Sequence, residues 1–135
     1  MRKAGFYLIS VLLAASDLIF KEVIERRKTF RIVKNSGFAG SKMKENPKLV
    51  MSVSAFFTAA IAVYIAIAKE DGPASIVKKF GWSICLGGAI SNSADRIRKK
   101  YVVDYIPIGK YVYNISDFFV YIGAVIAGIA GFFEK

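Results

Sequence analysis

The sequence predicts an all-α polytopic membrane protein with four transmembrane helices and a small loop region at one face of the membrane. Hydrophobic residues make up 55% of the 135-residue chain, and many of them form four long apolar runs. The 20 Lys/Arg and 10 Asp/Glu residues cluster between those runs, as in a chain that alternates between lipid and water. The length suits one domain, and we expect a single membrane-embedded domain over residues 1–135.

The four predicted helices lie near residues 4–20, 49–68, 76–95 and 114–133. A helix rises about 1.5 Å per residue, so about 20 residues cross a hydrocarbon core near 30 Å. The first, second and fourth apolar runs fit that length. The third run, 80–94, is short, and it reaches a spanning length only if residues 76–79 join it with their two lysines extended toward the headgroups.

The residue types exclude several kinds of site. The chain has no histidine, which removes Ser-His and Cys-His nucleophile pairs and histidine-ligated metal sites. Cys85 is the single cysteine, so no intrachain disulfide can form, and its apolar surroundings favour a packing role. We therefore expect no metal ion and no other cofactor.

The net charge of +10 has two ordinary explanations, nucleic acid and an anionic membrane surface. The apolar runs favour the membrane, and the sequence carries no RNP motif or zinc-finger spacing. We expect contact with anionic phospholipid and none with nucleic acid.

Polar residues gather at one predicted face of the membrane. Four crossings put the first and third connections on the same side, and polar side chains at helix ends there are functional candidates because they are costly in lipid. The candidates at helix ends are Asp17, Asn92, Asp95, Arg96, Asn114 and Asp117, and those in the two connections are Asn35, Gly37 and Asp104. Two Asn-x-x-Asp pairs recur among them, and each pair lies on one side of its helix.

Each candidate also has a simpler interpretation. Asp95 and Arg96 suit a structural ion pair, and Asn114 suits an N-terminal helix cap. Asp17 suits a hydrogen bond to a neighbouring helix. The convergence of all these residues at one face, rather than any one of them, indicates a polar site.

At these positions the sequence resembles the signal peptidase II family. The similar segments, in order, are 17–21 (DLIFK), 35–39 (NSGFA), 87–96 (GGAISNSADR), 102–106 (VVDYI) and 113–117 (YNISD). The resemblance covers nearly the whole chain. The departures from the family pattern include Ser91, where it has glycine, and Ser116, where it has alanine. The stretch 37–40 is a loose match, and the segment between Asp104 and Asp117 is shorter than expected for the family.

The resemblance implies a membrane aspartic endopeptidase that cuts the signal peptide from a diacylglyceryl-modified prolipoprotein, just before the lipidated cysteine. The implied catalytic pair is Asp104 and Asp117. The implied site-shaping residues are Asn92, Asp95, Arg96 and Asn114, and the implied supporting or substrate-binding residues are Asp17, Asn35 and Gly37. Two close carboxyls that share one proton can supply both the general base and the general acid.

The resemblance also implies a location. The family places both termini in the cytoplasm and the site at the extracytoplasmic face of the bacterial cytoplasmic (inner) membrane. The first and third connections would then lie outside, although they hold most of the Lys and Arg and the positive-inside rule alone predicts the reverse. We expect the family topology, with the extra charge on anionic headgroups. The expected partners are the lipid-modified prolipoprotein substrate and anionic phospholipid, and an oligomer is not required.

Two other functions fit parts of the pattern. Ser91 and Ser116 motivate a catalytically altered relative that binds lipoprotein precursor or lipid without cutting it. A helical-bundle channel or transporter subunit is the second alternative, although acids clustered at one face argue against a pore.

Overall fold

The structure, a computed structural model, describes residues 3–28 and 31–134 and is mostly helical there. The helices are α1 (Lys3–Arg27), α2 (Pro47–Ile67), α3 (Pro73–Lys99) and α4 (Ile115–Phe132). The short strands are β1 (Val33–Asn35), β2 (Val102–Asp104), β3 (Ile106–Ile108) and β4 (Tyr111–Tyr113), and a 3₁₀ turn covers Ala39–Ser41. Each helix overlaps one of the four predicted helices.

Helices α1 and α3 are longer than the apolar runs that predicted them. The polar segment 21–27 continues α1 because its residues are mostly good helix formers, and Arg26 pairs with Glu22 one turn away at 2.9 Å. Helix α3 begins at Pro73, in the first turn, where proline is favoured. With 27 residues, α3 is long enough to cross a bilayer. The apolar run 80–94 therefore underestimated the length of this helix.

The strands are an addition to the all-α expectation. Strands β1 and β2 pair antiparallel, and β3 and β4 form a hairpin with Gly109 at φ +62° in its turn. Three-residue strands are too short to show a period-two pattern in the sequence. The β1–β2 pair joins the first connection to the third and brings Asn35 to the same place as Asp104.

Helix α3 is the centre of the bundle and packs against each of the other three helices. Glycines permit this close approach. A Cβ on Gly123 would lie 2.4 Å from the backbone N of Cys85, and a Cβ on Gly88 would lie 2.3 Å from the carbonyl O of Ser116. The apolar core next to this contact consists of Phe6, Ile61, Ile65, Cys85 and Leu86.

The outer surface of the bundle is apolar. Among the described residues, α2 and α4 are each long and apolar enough to cross a membrane. Their exposed side chains include Phe56, which is 77% exposed, and Phe132, which is 88% exposed. Helix α1 also exposes large apolar side chains, among them Leu8 and Ile19, and it turns Asp17 and Lys21 inward.

Close packing of α3 and α4 predicts different costs for two glycines of α4. Gly123→Ala would drive a methyl group into the α3 backbone, so we expect it to lower the free energy of unfolding by about 1–3 kcal/mol. Gly128 has open space around its Cβ position, and Gly128→Ala should be neutral or slightly stabilising. Reversible unfolding in detergent measures both, and equal effects would contradict the packing described.

Candidate active site

Asn114 holds the two acidic side chains of the predicted pair. Asp104 ends β2, and Asp117 lies in the first turn of α4. The Asn114 side-chain Nδ2 donates to Asp104 Oδ1 at 2.8 Å, and the Asn114 backbone N donates to Asp117 Oδ2 at 3.0 Å. The Asp117 backbone N in turn donates to Asn114 Oδ1 at 2.9 Å. This reciprocal cap starts α4 and brings both carboxyls to one residue.

Two further asparagines complete the hydrogen bonding of the carboxyls. Asn92 Nδ2 donates to Asp117 Oδ1, and Asn35 Nδ2 donates to Asp104 Oδ2, each at 3.0 Å. Asn92 Oδ1 accepts from Asn114 Nδ2 at 3.1 Å. Each of the four carboxyl oxygens therefore has a donor, and the donors come from the first connection, α3 and the start of α4.

Burial and the neighbouring carboxyl raise the pKa of Asp104. Desolvation is the larger cause, and the charge of Asp117 adds to it, whereas the Asn35 and Asn114 donors oppose the shift. The net result is a pKa of about 7. Asp104 therefore keeps its proton up to near-neutral pH, as expected for one member of a close carboxyl pair.

Lys21 is a site residue that the sequence reasoning did not include. Its Nζ is fully buried and lies 2.9 Å from Asp17 Oδ2 and 3.1 Å from Asp95 Oδ2. It also donates to Asn92 Oδ1 at 3.0 Å. Because the ammonium occupies the carbonyl side of this amide, the Nδ2 side must face Asp117. The i,i+4 spacing of Asp17 and Lys21 was the available signal.

Asp95 and Arg96 do not form their ion pair with each other. Asp95 pairs with Lys21 and accepts from the backbone N of Val103 at 3.2 Å. Arg96 instead ties α3 to two other segments, as Nη1 donates to Ser54 Oγ at 2.7 Å and Nη2 donates to the carbonyl O of Gly37 at 3.1 Å. Adjacent positions on α3 therefore serve opposite sides of the site.

Gly37 is required by close contact in the first connection. A Cβ there would lie 2.3 Å from the carbonyl O of Lys42. The Gly37 backbone N donates to Asn35 Oδ1 at 2.8 Å, and Asn35 Nδ2 also donates to the carbonyl O of Phe38 at 2.8 Å. This tight turn holds Asn35 against Asp104.

A cavity of about 230 Å³ opens beside Asp117. It lies between α2, α3, α4 and the first connection, and most of its wall is apolar. The lining includes Val53, Phe57 and Val120, with Asn92, Arg96 and Asp117 as polar groups. Within the described part of the chain, Arg96 Nε is a buried donor without a hydrogen-bond partner. The cavity can therefore hold a mostly apolar peptide segment that places one of its peptide bonds next to the Asp117 carboxyl.

A carboxyl pair beside a mostly apolar cavity, inside a helical bundle with an apolar exterior, defines a candidate membrane-embedded hydrolase. Comparison with known proteins makes the class specific. The sequence profile described as "Signal peptidase (SPase) II" matches residues 8–133, and the chain belongs to the signal peptidase II family. The family consists of membrane proteins that cleave lipoprotein signal peptides.

Individual relatives agree with that assignment. A lipoprotein signal peptidase from Caldanaerobacter subterraneus subsp. tengcongensis is 33% identical over 104 residues, which is 76% of this chain and 69% of that relative. A lipoprotein signal peptidase from Brucella ovis is 35% identical over 71 residues, which is 49% of this chain and 44% of that relative.

The fold is also similar to that of solved structures. Two structures described as bacterial membrane enzymes align with TM-scores of 0.80 and 0.75, at 19% and 18% sequence identity. Each alignment covers 94% of this chain, and the two cover 87% and 92% of the other chains.

The buried ammonium of Lys21 predicts a large cost for its removal. Lys21→Met would leave Asp17 and Asp95 without their cation, and we expect a loss of about 3–5 kcal/mol in the free energy of unfolding. Arg26→Met removes a cation from the exposed pair on the same helix and should cost less than about 1 kcal/mol. Unfolding in detergent measures both variants. Equal free energies of unfolding for Lys21→Met and Arg26→Met would contradict the buried network.

Proposed function

We propose that this chain is an aspartic endopeptidase that cleaves signal peptides from diacylglyceryl-modified prolipoproteins just before the lipidated cysteine, with Asp104 and Asp117 as its catalytic pair. The observation that carries the proposal is the position of Asn114, which holds both carboxyls at once. Family membership supplies the substrate class, and the geometry supplies the chemistry.

The two carboxyls differ in a way that suits the two roles. Asp104 is 1% exposed and Asp117 is 8% exposed, and Asp117 lines the cavity. Asp117, as the ionised member, takes a proton from a cavity water as that water attacks the peptide carbonyl. Asp104, as the protonated member, gives its proton to the carbonyl oxygen. The tetrahedral intermediate then collapses as Asp117 passes its proton to the leaving nitrogen and the C–N bond breaks, and Asp104 regains a proton from the hydroxyl that becomes the new carboxyl. No nucleophilic side chain takes part.

The other polar residues keep the pair in place. Asn92, Asp95 and Asn114 orient the carboxyls. Arg96 on α3 hydrogen-bonds both α2 and the first connection and so holds the three segments together. Asp17 and Gly37 act one contact further away, and Asn35 bonds Asp104 at the side of the first connection. A substrate segment in the cavity would lie against the apolar wall, with its cleaved bond at Asp117.

We also propose that all four helices cross the bacterial cytoplasmic membrane, with both termini in the cytoplasm and the site at the extracytoplasmic face. The charges of α1 near the site are buried in the bundle, so they do not oppose its insertion. The exposed Lys42, Lys44 and Lys48 of the first connection would then meet anionic phospholipid. One chain forms the whole cavity, so an oligomer is not required.

A binding relative without activity is the weaker alternative. The serines that motivated it, Ser91 and Ser116, are fully buried and do not line the cavity beside Asp117. They leave the carboxyl pair and its asparagines intact. The channel alternative has no support from the family or from the fold.

Removal of either carboxyl should abolish cleavage. Asp104→Asn and Asp117→Asn each take away a group that moves a proton, and we expect kcat to fall by about 10³-fold or more. Asp71→Asn is the matched control, because Asp71 is exposed in the connection between α2 and α3. The assay is turnover of a lipidated prolipoprotein by purified protein. Near wild-type turnover by Asp104→Asn or Asp117→Asn would refute the assignment of these two residues as the catalytic pair.

Labelling of introduced cysteines tests the topology. In spheroplasts, a membrane-impermeant maleimide should label Lys44→Cys before lysis and Asp71→Cys only after lysis, since the two positions lie in the first and second connections. Native Cys85 is buried and should stay unlabelled in both. The reverse order of labelling would mean that the protein has the opposite orientation in the membrane, and it would contradict the proposed topology.

A further inference from the structure

The Asp17 carboxylate accepts hydrogen bonds from three hydroxyl groups on three other elements. Ser91 Oγ on α3 donates to Asp17 Oδ2 at 2.7 Å. The Tyr105 hydroxyl, between β2 and β3, donates to Asp17 Oδ1 at 2.7 Å. Ser116 Oγ at the start of α4 donates to Asp17 Oδ2. With Lys21 as the fourth donor, one side chain of α1 joins every element that carries the carboxyl pair and Asn92.

The three hydroxyl residues are direct chain neighbours of three site residues. Their positions relative to the site are as follows: Ser91 precedes Asn92, Tyr105 follows Asp104, and Ser116 precedes Asp117. The backbone of each hydroxyl residue is therefore continuous with that of one group in the carboxyl site. The hydrogen bond of each hydroxyl to Asp17 therefore restrains the backbone next to one residue of the carboxyl site.

Ser91 and Ser116 are also among the positions where this chain departs from the family pattern. Both serines donate to the same oxygen of Asp17, and both are fully buried. Neither lines the cavity beside Asp117. The two departures therefore share one acceptor and act on Asp17 rather than on a substrate in that cavity.

We propose that Ser91, Tyr105 and Ser116 are positioning residues that form a three-hydroxyl clamp on Asp17 and set the relative positions of Asn92, Asp104 and Asp117. The clamp deepens the proposed function, on which it rests. It assigns a positioning role to two serines that the family pattern lacks.

The Tyr105 hydroxyl also forms a second hydrogen bond. Its hydroxyl oxygen accepts from the backbone N of Ile115 at 3.2 Å, so the tyrosine links Asp17 to the first residue of α4. Burial, followed by the hydrogen bond to Asp17 and then the Asp17 charge, raises the pKa of this hydroxyl, and it remains a donor at every physiological pH. Hydroxyl donors to a buried carboxylate are among the stronger hydrogen bonds of a protein interior.

Kinetics of conservative variants test the clamp. The variants are Ser91→Ala, Ser116→Ala and Tyr105→Phe, singly and combined, and each removes one hydroxyl without adding bulk. Two matched controls lie away from the site. Ser83→Ala removes a buried serine hydroxyl of α3 that donates to the carbonyl O of Lys79. Tyr7→Phe removes a hydroxyl that donates to the carbonyl O of Ala62.

We expect each clamp variant to lower kcat about tenfold with KM within about twofold of wild type, because misplacement of reacting groups costs rate rather than binding. The triple variant should lose less than the product of the three single losses, since the hydroxyls share one acceptor. Both controls should retain wild-type kcat. Clamp variants with kcat equal to that of the controls would overturn the clamp.

Amide hydrogen exchange supplies a readout that needs no cleavage. The Asp117 backbone N donates to Asn114 Oδ1, and this bond should loosen when the clamp is removed. We expect its exchange to rise about tenfold in Ser116→Ala and to stay unchanged in Ser83→Ala. Unchanged exchange in both would overturn the clamp even if the wild type cleaves. A wild type that never cleaves, with the exchange difference present, would refute the proposed function and leave the clamp standing.

Discussion

The site depends on the two hydrogen bonds that Asn114 donates, one from its side chain to Asp104 and one from its backbone N to Asp117. A helix N-cap normally satisfies only the free amides of its own helix. Here the cap also reaches Asp104 on β2, so the bond that starts α4 fixes the distance between a loop carboxyl and a helix carboxyl. Because α3 supplies Asn92 against the same cap, the start of α4, the end of β2 and the middle of the bundle are positioned together.

Buried charge explains why the bundle can hold such a site in a membrane. Lys21 balances Asp17 and Asp95 between α1 and α3, and ionised groups inside a bilayer are tolerated when they face one another. The same charges lower the apparent hydropathy of both helices, although α1 has an apolar outer face. Charged residues that face the bundle interior therefore lower the mean hydropathy of a helix even where its outer face is apolar.

The sequence predicted the helices, and which polar residues lie together at one end of them, better than it predicted how those residues contact one another. Apolar runs are long and local, and the two Asn-x-x-Asp spacings are visible in one chain. The β1–β2 pairing and the contacts of Lys21 with Asp95 and Asn92 join distant segments, and no local pattern encodes them. Ser91 and Ser116 were interpretable only as departures until the fold placed both on Asp17.

A proton on Asp104 near neutral pH is the central claim, and infrared titration of the carboxyl C=O band measures it most directly. Since the pKa of Asp104 is raised to about 7, its carboxyl should be protonated at about pH 5.5 and ionised above about pH 8. We expect one such band that titrates near neutral pH in the wild type and disappears in Asp104→Asn. A wild type with no titrating carboxyl in this range, or an Asp104→Asn variant with the same band, would contradict Asp104 as the member of the pair that holds the proton.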